Sequence, residues 1–282
     1  MTVLITGATG TVGSRVIEVL LARGNRPRIF VRNAEKARAH YADRVDIAVG
    51  DLTDTPSLAP ALKGVEAFFL ITSGPPIAKL DQEAAAAANS AGVKHLVKLS
   101  SMDAQQNIGT GAWHACGEAA IRASGIPFTF VQPTGFMSNA LEWASSIKAE
   151  GVVRAPTGDG KIPFIHPEDI AAVAAEVLST RKYLGESLPI TGPRALSYAE
   201  MTEQIATVVG KPLRFEAVSD DYEHQQMTKG GASLAIIDAH ISIYRSIREG
   251  RLAKVTDNVE AILHRKPRSF AQWLQENAAA FR

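Results

Sequence analysis

What this sequence of 282 residues has little of narrows its chemistry first. Cys116 is the only cysteine, which excludes an intramolecular disulfide and a multi-cysteine metal site and fits a reducing cytosol. Thirty basic against 29 acidic side chains leave a formal charge of +1, so bulk electrostatics favour neither a nucleic acid nor a membrane surface as partner. No apolar run approaches the roughly 18 residues of a membrane span, and the first residues read at once as a strand, not as a signal segment. The expectation is a cytoplasmic protein. Several catalytic signatures are missing too. There is no HExxH zinc helix and no GxSxG elbow, and Gly158-Asp159-Gly160-Lys161 lacks the upstream glycine and the following hydroxyl of a phosphate loop. No metal site is expected.

What is present begins at Thr2 to Gly13, TVLITGATGTVG. A β-branched run meets glycines at three-residue spacing, Gly7, Gly10 and Gly13, and an amphipathic helix pattern follows, with Val12, Val16, Val19 and Leu20 on one face. Strand, tight turn and helix in that order place unpaired N–H groups and a positive dipole end at the turn, a geometry that suits a pyrophosphate. The backbone and side chains of Gly7, Thr9, Gly10, Thr11, Val12 and Gly13 are therefore candidate dinucleotide contacts. Strand two, Arg28 to Val31, ends at Arg32, about 20 residues past the glycines, where NAD-binding folds often carry an acid for the ribose 2′-OH. A guanidinium there can pair with a 2′-phosphate, so the reading favours NADP, with Lys36 and Arg15 as helpers; a solvated arginine at a strand end is the plainer alternative. Asp51, in Gly50-Asp51-Leu52-Thr53-Asp54, can accept from an adenine amino group or cap the helix that begins near Pro56.

The strand-then-helix rhythm repeats about six times through Val131, with Ala67 to Ile71 and His95 to Leu99 as apolar strands and Thr72-Ser73-Gly74 and Ser100-Ser101 at their carboxyl ends. Right-handed crossovers turn that rhythm into an α/β Rossmann-type doubly wound parallel sheet. After Gln132 the rhythm breaks at the loop Pro133-Thr134-Gly135-Phe136-Met137. The expected organisation is a Rossmann domain over 1–133, a smaller α+β substrate lobe over 134–282, and later segments such as 152–192 returning to the sheet. Glu168 and Asp169 read as acids favouring a helix dipole, and His166 as a loop histidine that could contact substrate or, more plainly, is solvated. The alanine-rich helical faces would suit a homodimer interface as well as a core.

TVLITGATGTVG, VRN at Val31 to Asn33, GDLTD at Gly50 to Asp54, VKLSS at Val97 to Ser101 and EAAIRASGIPFTFVQPTGFMSN at Glu118 to Asn139 resemble the NmrA-like branch of the atypical short-chain dehydrogenase/reductases. IHPEDIAAVA and KPRSFAQWL extend the resemblance with less specificity. It implies an NADP site built from Gly7 to Gly13, Arg32, Thr72 to Gly74 and the loop from Pro133 to Asn139 beside the nicotinamide. It also implies relatives among quinone oxidoreductases, triphenylmethane-dye reductases and redox-sensing regulators. Ordinary short-chain dehydrogenases carry a tyrosine and a lysine four residues apart on the helix after strand five; here that helix offers His114-Ala115-Cys116-Gly117-Glu118, as the branch often does.

The expected activity is NADPH-dependent hydride transfer to a quinone or other conjugated aromatic acceptor, a small molecule whose own π-system takes up the charge. A non-catalytic NADP sensor and a tailoring enzyme for a polycyclic aromatic metabolite stand as alternatives. His114 is a candidate proton donor, raised and oriented by Glu118 one turn on, against the plainer reading of an exposed i,i+4 pair. Met102, Trp113, Phe136, Met137, Trp143 and Phe164 are candidate walls of an acceptor pocket, each of which would also serve as core.

Overall fold

The computed structural model describes residues 1–282. Its centre is a seven-stranded, all-parallel sheet. The strands are β1 (Val3–Ile5), β2 (Arg28–Val31), β3 (Asp46–Val49), β4 (Ala67–Leu70), β5 (His95–Leu99), β6 (Phe128–Pro133) and, joining after two short strands outside the sheet, β9 (Ser187–Ile190). Their order across the sheet is β3-β2-β1-β4-β5-β6-β9. Successive strands are added to one side of β1 as far as β3 and to the other side from β4 onward, so the carboxyl ends of β1 and β4 open a crevice, the position at which such sheets receive ligands.

Alternation within the strands explains why both faces are covered. Val3, Ile5, Phe69, Val97, Leu99 and Val131 face one core, shared with helices α1 (Gly13–Ala22) and α7 (Pro167–Ser179). Leu4, Phe68, Leu70, Leu96 and Phe130 face the other, shared with α3 (Leu58–Leu62), α4 (Ile77–Ser90) and α5 (Thr110–Ala123). A side-chain period of two with apolar residues at every position is what a strand buried on both sides requires. The remaining helix of this half, α2 (Ala34–Tyr41), is capped by Asn33, whose Oδ1 accepts from the Lys36 N–H at 2.9 Å.

A third core belongs to a smaller lobe. Strand β7 (Val152–Ala155) pairs in parallel with β11 (Arg214–Ala217), and β8 (Lys161–Ile162) pairs antiparallel with β10 (Leu196–Ser197). Of the segment 152–192, then, α7 and β9 join the large sheet, while β7 and β8 build the lobe. Helices α6 (Ala144–Glu150), α8 (Tyr198–Val209), α9 (Asp220–Lys229), α10 (Leu234–Arg248), α11 (Asn258–Leu263) and α12 (Phe270–Asn277) complete the chain. Helix α8 begins with a full capping box between Ser197 and Glu200, and α12 with another between Ser269 and Gln272.

The start of α7 departs from its sequence reading. His166 is 2% exposed, and its Nδ1 accepts from the Glu168 N–H at 3.1 Å, so it caps the helix. Asp169 is wholly buried, facing Arg265 at 2.8 Å and accepting from the Arg268 N–H at 2.6 Å. Neither group is solvated. Asp169 docks the 264–269 segment onto the first turn of α7, and His166 Nε2 faces Glu276 of α12 at 3.3 Å.

Candidate active site

Three local features build the crevice between β1 and β4. Gly7 leaves β1 at a φ of +62°, a left-handed angle that side-chain-bearing residues avoid. The Gly10 N–H then donates to the Gly7 carbonyl at 2.9 Å, and α1 starts so close to the same carbonyl that a Cβ at Gly13 would collide with it. The Tyr41 hydroxyl holds the turn from the side by donating to the Ala8 carbonyl at 2.5 Å. Helix α1 has no capping side chain and no acid in its first turn. Apart from the Ser14 N–H, which donates to the Gly10 carbonyl at 3.1 Å, the N–H groups at its start are therefore available to an anion.

The resulting cleft has a volume of about 780 Å³ and runs along the carboxyl ends of β1, β2, β3 and β4. Gly7, Thr9, Gly10, Thr11, Val12 and Gly13 line its middle, Arg32, Lys36, Asp51 and Leu52 one end, and Thr72, Ser73 and Phe136 the other. Its size is within the range of small-molecule and cofactor sites. Arg32 and Lys36 are exposed cations at the β2 end. Arg15 is not with them: its Nη1 donates to the Thr11 carbonyl at 2.6 Å and its Nε faces Glu168 at 3.0 Å. Asp51 does not cap the following helix. Its Oδ1 accepts from both the N–H and the hydroxyl of Thr53 at 2.9 Å, bonds that hold its carboxyl below the usual range.

Gly74, Pro133, Thr134 and Gly135 do not line the cleft but support residues that do. Gly74 turns the chain at φ +77° into α4. The Thr134 N–H donates to Ile190 at 3.0 Å, and Gly135 lies so close under the Phe164 ring that a Cβ there would strike it. This braced segment presents Phe136 to the cleft.

The expected aromatic and methionine wall is not one surface. Met137 and Phe164 line a separate cavity of about 600 Å³ with Leu196 and Phe270. Trp143 packs on Tyr198 with ring centroids 4.9 Å apart, inside the lobe. Met102 is buried in the turn after β5, and Trp113 is half-buried on α5. Neither lines the cleft. Helical and loop periodicity marked these groups as apolar and had no means of assigning them to a common wall.

His114 and Glu118 also part company. The Glu118 carboxylate is 7% exposed and accepts from the Ser100 hydroxyl and from Gln132 Nε2 at 2.7 Å, with Arg122 at 3.8 Å. His114 makes no pair with it. Burial, with the Lys98 charge adding to it, holds the imidazole at about 3, so the ring is neutral at physiological pH.

Lys98 and Asp81, which sequence reading passed over, lie beside the Thr72 end. Both are 0% exposed, with Nζ and Oδ2 2.8 Å apart. The signal for them was a lysine in the middle of the apolar strand HLVKL, since a cation inside a covered strand requires a partner.

An NmrA-like family model matches residues 1–274. The chain belongs to the NmrA-like family. An NAD(P)H azoreductase of Xenophilus azovorans is 35% identical over 99% of both chains. The (4-alkanoyl-5-oxo-2,5-dihydrofuran-3-yl)methyl phosphate reductase of Streptomyces griseus is 39% identical over the same shares. Among solved structures, an Escherichia coli NADPH-dependent quinone oxidoreductase complexed with NADPH superposes with a TM-score of 0.89 at 26% identity, covering 98% of this chain and 99% of that one. Within this NmrA-like fold, α5 contains neither tyrosine nor lysine.

Proposed function

We propose that this protein is an NADPH-dependent reductase that delivers hydride to a conjugated acceptor, a quinone or a related aromatic or unsaturated system, without a tyrosine–lysine pair. The observation that carries this reading is the combination of a cleft of about 780 Å³ built on the Gly7 to Gly13 turn with an α5 that has no phenol to offer. The relatives' names support the acceptor class. Quinones, azo bonds and unsaturated furanones share a π-system that spreads incoming negative charge, so they need less help from an acid than an isolated ketone does.

The cleft residues divide the work. The N–H groups of the Gly7 to Gly13 turn and of α1 hold the pyrophosphate. Arg32 and Lys36 take the 2′-phosphate, Asp51 and Leu52 border the adenine, and Thr72, Ser73 and Phe136 enclose the nicotinamide end. When bound, the cofactor supplies the hydride. Phe136 would wall the nicotinamide end of the cleft, and with His114 neutral the proton that completes the reduction would come from solvent and not from that imidazole.

The test is NADPH consumption by the purified chain with a quinone, an azo dye, an unsaturated lactone and a saturated ketone. Consumption with conjugated acceptors and none with the saturated ketone is expected. Tight NADPH binding with no turnover on any conjugated acceptor would overturn the reductase reading in favour of a redox sensor.

A further inference from the structure

The turn after β4 is held from both neighbouring strands. From β1, Thr6 Oγ1 accepts from the Ile71 N–H at 2.7 Å and donates to the Ile71 carbonyl at 3.2 Å. From β5, Lys98 Nζ donates to Thr72 Oγ1 at 3.1 Å, and that hydroxyl donates onward to Asp81 Oδ1 at 2.7 Å. Both hydrogen-bonding directions of the Thr72 hydroxyl are thereby assigned, so the side chain has one orientation. Asp81 sits on the first turns of α4 next to Leu80, and Leu80, Ile71, Thr72 and Ser73 all line the cleft. Helix α5 presses on the same carboxylate, because a Cβ at Gly117 would collide with Asp81 Oδ2.

A buried ion pair is an inefficient way to stabilise a fold, since well-packed apolar residues of similar volume commonly do as well or better. Packing alone therefore does not account for this one. What the charges add here is direction, exerted on a single hydroxyl at the edge of the cleft.

We propose that Lys98 and Asp81 are a positioning pair, which acts through Thr72 to fix the β4–α4 turn at the nicotinamide end of the cleft. The inference rests on the cofactor reading above. Neither charge touches the cofactor or the acceptor; the pair sets where Thr72, Ser73 and Leu80 stand before a ligand arrives, so that NADPH binding carries no cost of ordering them.

The test measures NADPH affinity of the full chain by titration, beside thermal melting, for three changes. Thr72→Val removes the hydroxyl and leaves the ion pair whole. Lys98→Met with Asp81→Asn removes both charges without stranding one. The triple variant combines them. Each of the first two is expected to weaken NADPH binding about tenfold with the fold retained, the triple variant no further than either, and Thr72→Ser to recover most of the Thr72→Val loss. That non-additivity is the signature of action through Thr72, which a merely structural pair would not produce. Additive losses, or a folded double variant that binds NADPH as the unmodified chain does, would overturn the proposal. Should the double variant not fold, Thr72→Val decides alone, and unchanged affinity overturns it. An unmodified chain that fails to bind NADPH at all would instead sink the cofactor reading.

Discussion

At His114 two effects act in the same direction. Burial disfavours the imidazolium, and the Lys98 ammonium repels it, leaving the ring neutral down to about pH 3. A general acid contributes on the order of 100-fold or more to a step that depends on it. Replacing His114 by alanine should therefore change turnover of a quinone by no more than about threefold, and a hundredfold loss in steady-state assays would restore the histidine as donor. Arg32 is the opposite case. A charge-assisted, forked contact with phosphate is worth roughly 1.5 to 3 kcal/mol, so Arg32→Ala should raise KM for NADPH by about ten- to a hundredfold and leave KM for NADH nearly unchanged. Equal effects on both cofactors would remove the 2′-phosphate from its assignment. The place of Arg32 at the cleft was legible in the sequence because it is set by distance along the chain from a glycine turn. Lys98 and Asp81 were not, because their pairing depends on how α4 crosses β5, which no local pattern encodes.

Helix α1 is held against the Gly7 turn by the absence of one side chain. Gly13→Ala would force a Cβ into the Gly7 carbonyl, and overpacking of this kind costs about 1 to 3 kcal/mol. The same shift withdraws the helix N-terminus from the cleft, so chemical denaturation and NADPH titration should both register the change; a variant with full stability and full affinity would contradict the docking described here. The elements around this turn were readable because strand, turn residues and helix period agree with one another. Agreement is lacking further on. Helix α9 buries none of its residues, so it shows no apolar stripe. In α10, Leu234 is 67% exposed while Ile237 is fully buried, and apolar residues on both sides blur the period. For that reason the lobe reads as irregular in sequence although it is mostly helical.

Across the whole molecule, several histidines are buried in their neutral form, and this fixes the sign of the acid response. His95, at about 4, and His114, at about 3, are depressed chiefly by burial, and His166 is lowered for the same reason. Below the unfolded value of about 6.5 the unfolded chain gains protons that the folded chain does not, so stability falls as pH falls. Asp103 opposes this, because burial raises it to about 6 and the folded form then holds a proton that the unfolded form has lost. Near pH 5 the two quantified histidines outweigh the one carboxylate by about one proton, equivalent to roughly 1.4 kcal/mol per pH unit. His166 adds to the loss, while Glu223, whose carboxyl burial also raises, and the partial exposure of His114 trim it. Urea unfolding should accordingly show stability falling by about 2 to 3 kcal/mol between pH 6.5 and 4.5. His95→Gln, which can still hydrogen-bond the Thr129 hydroxyl that His95 Nε2 meets at 2.8 Å, should flatten that slope by up to about 1.4 kcal/mol per pH unit. A slope identical in the variant and the unmodified chain would show that the acid sensitivity arises elsewhere.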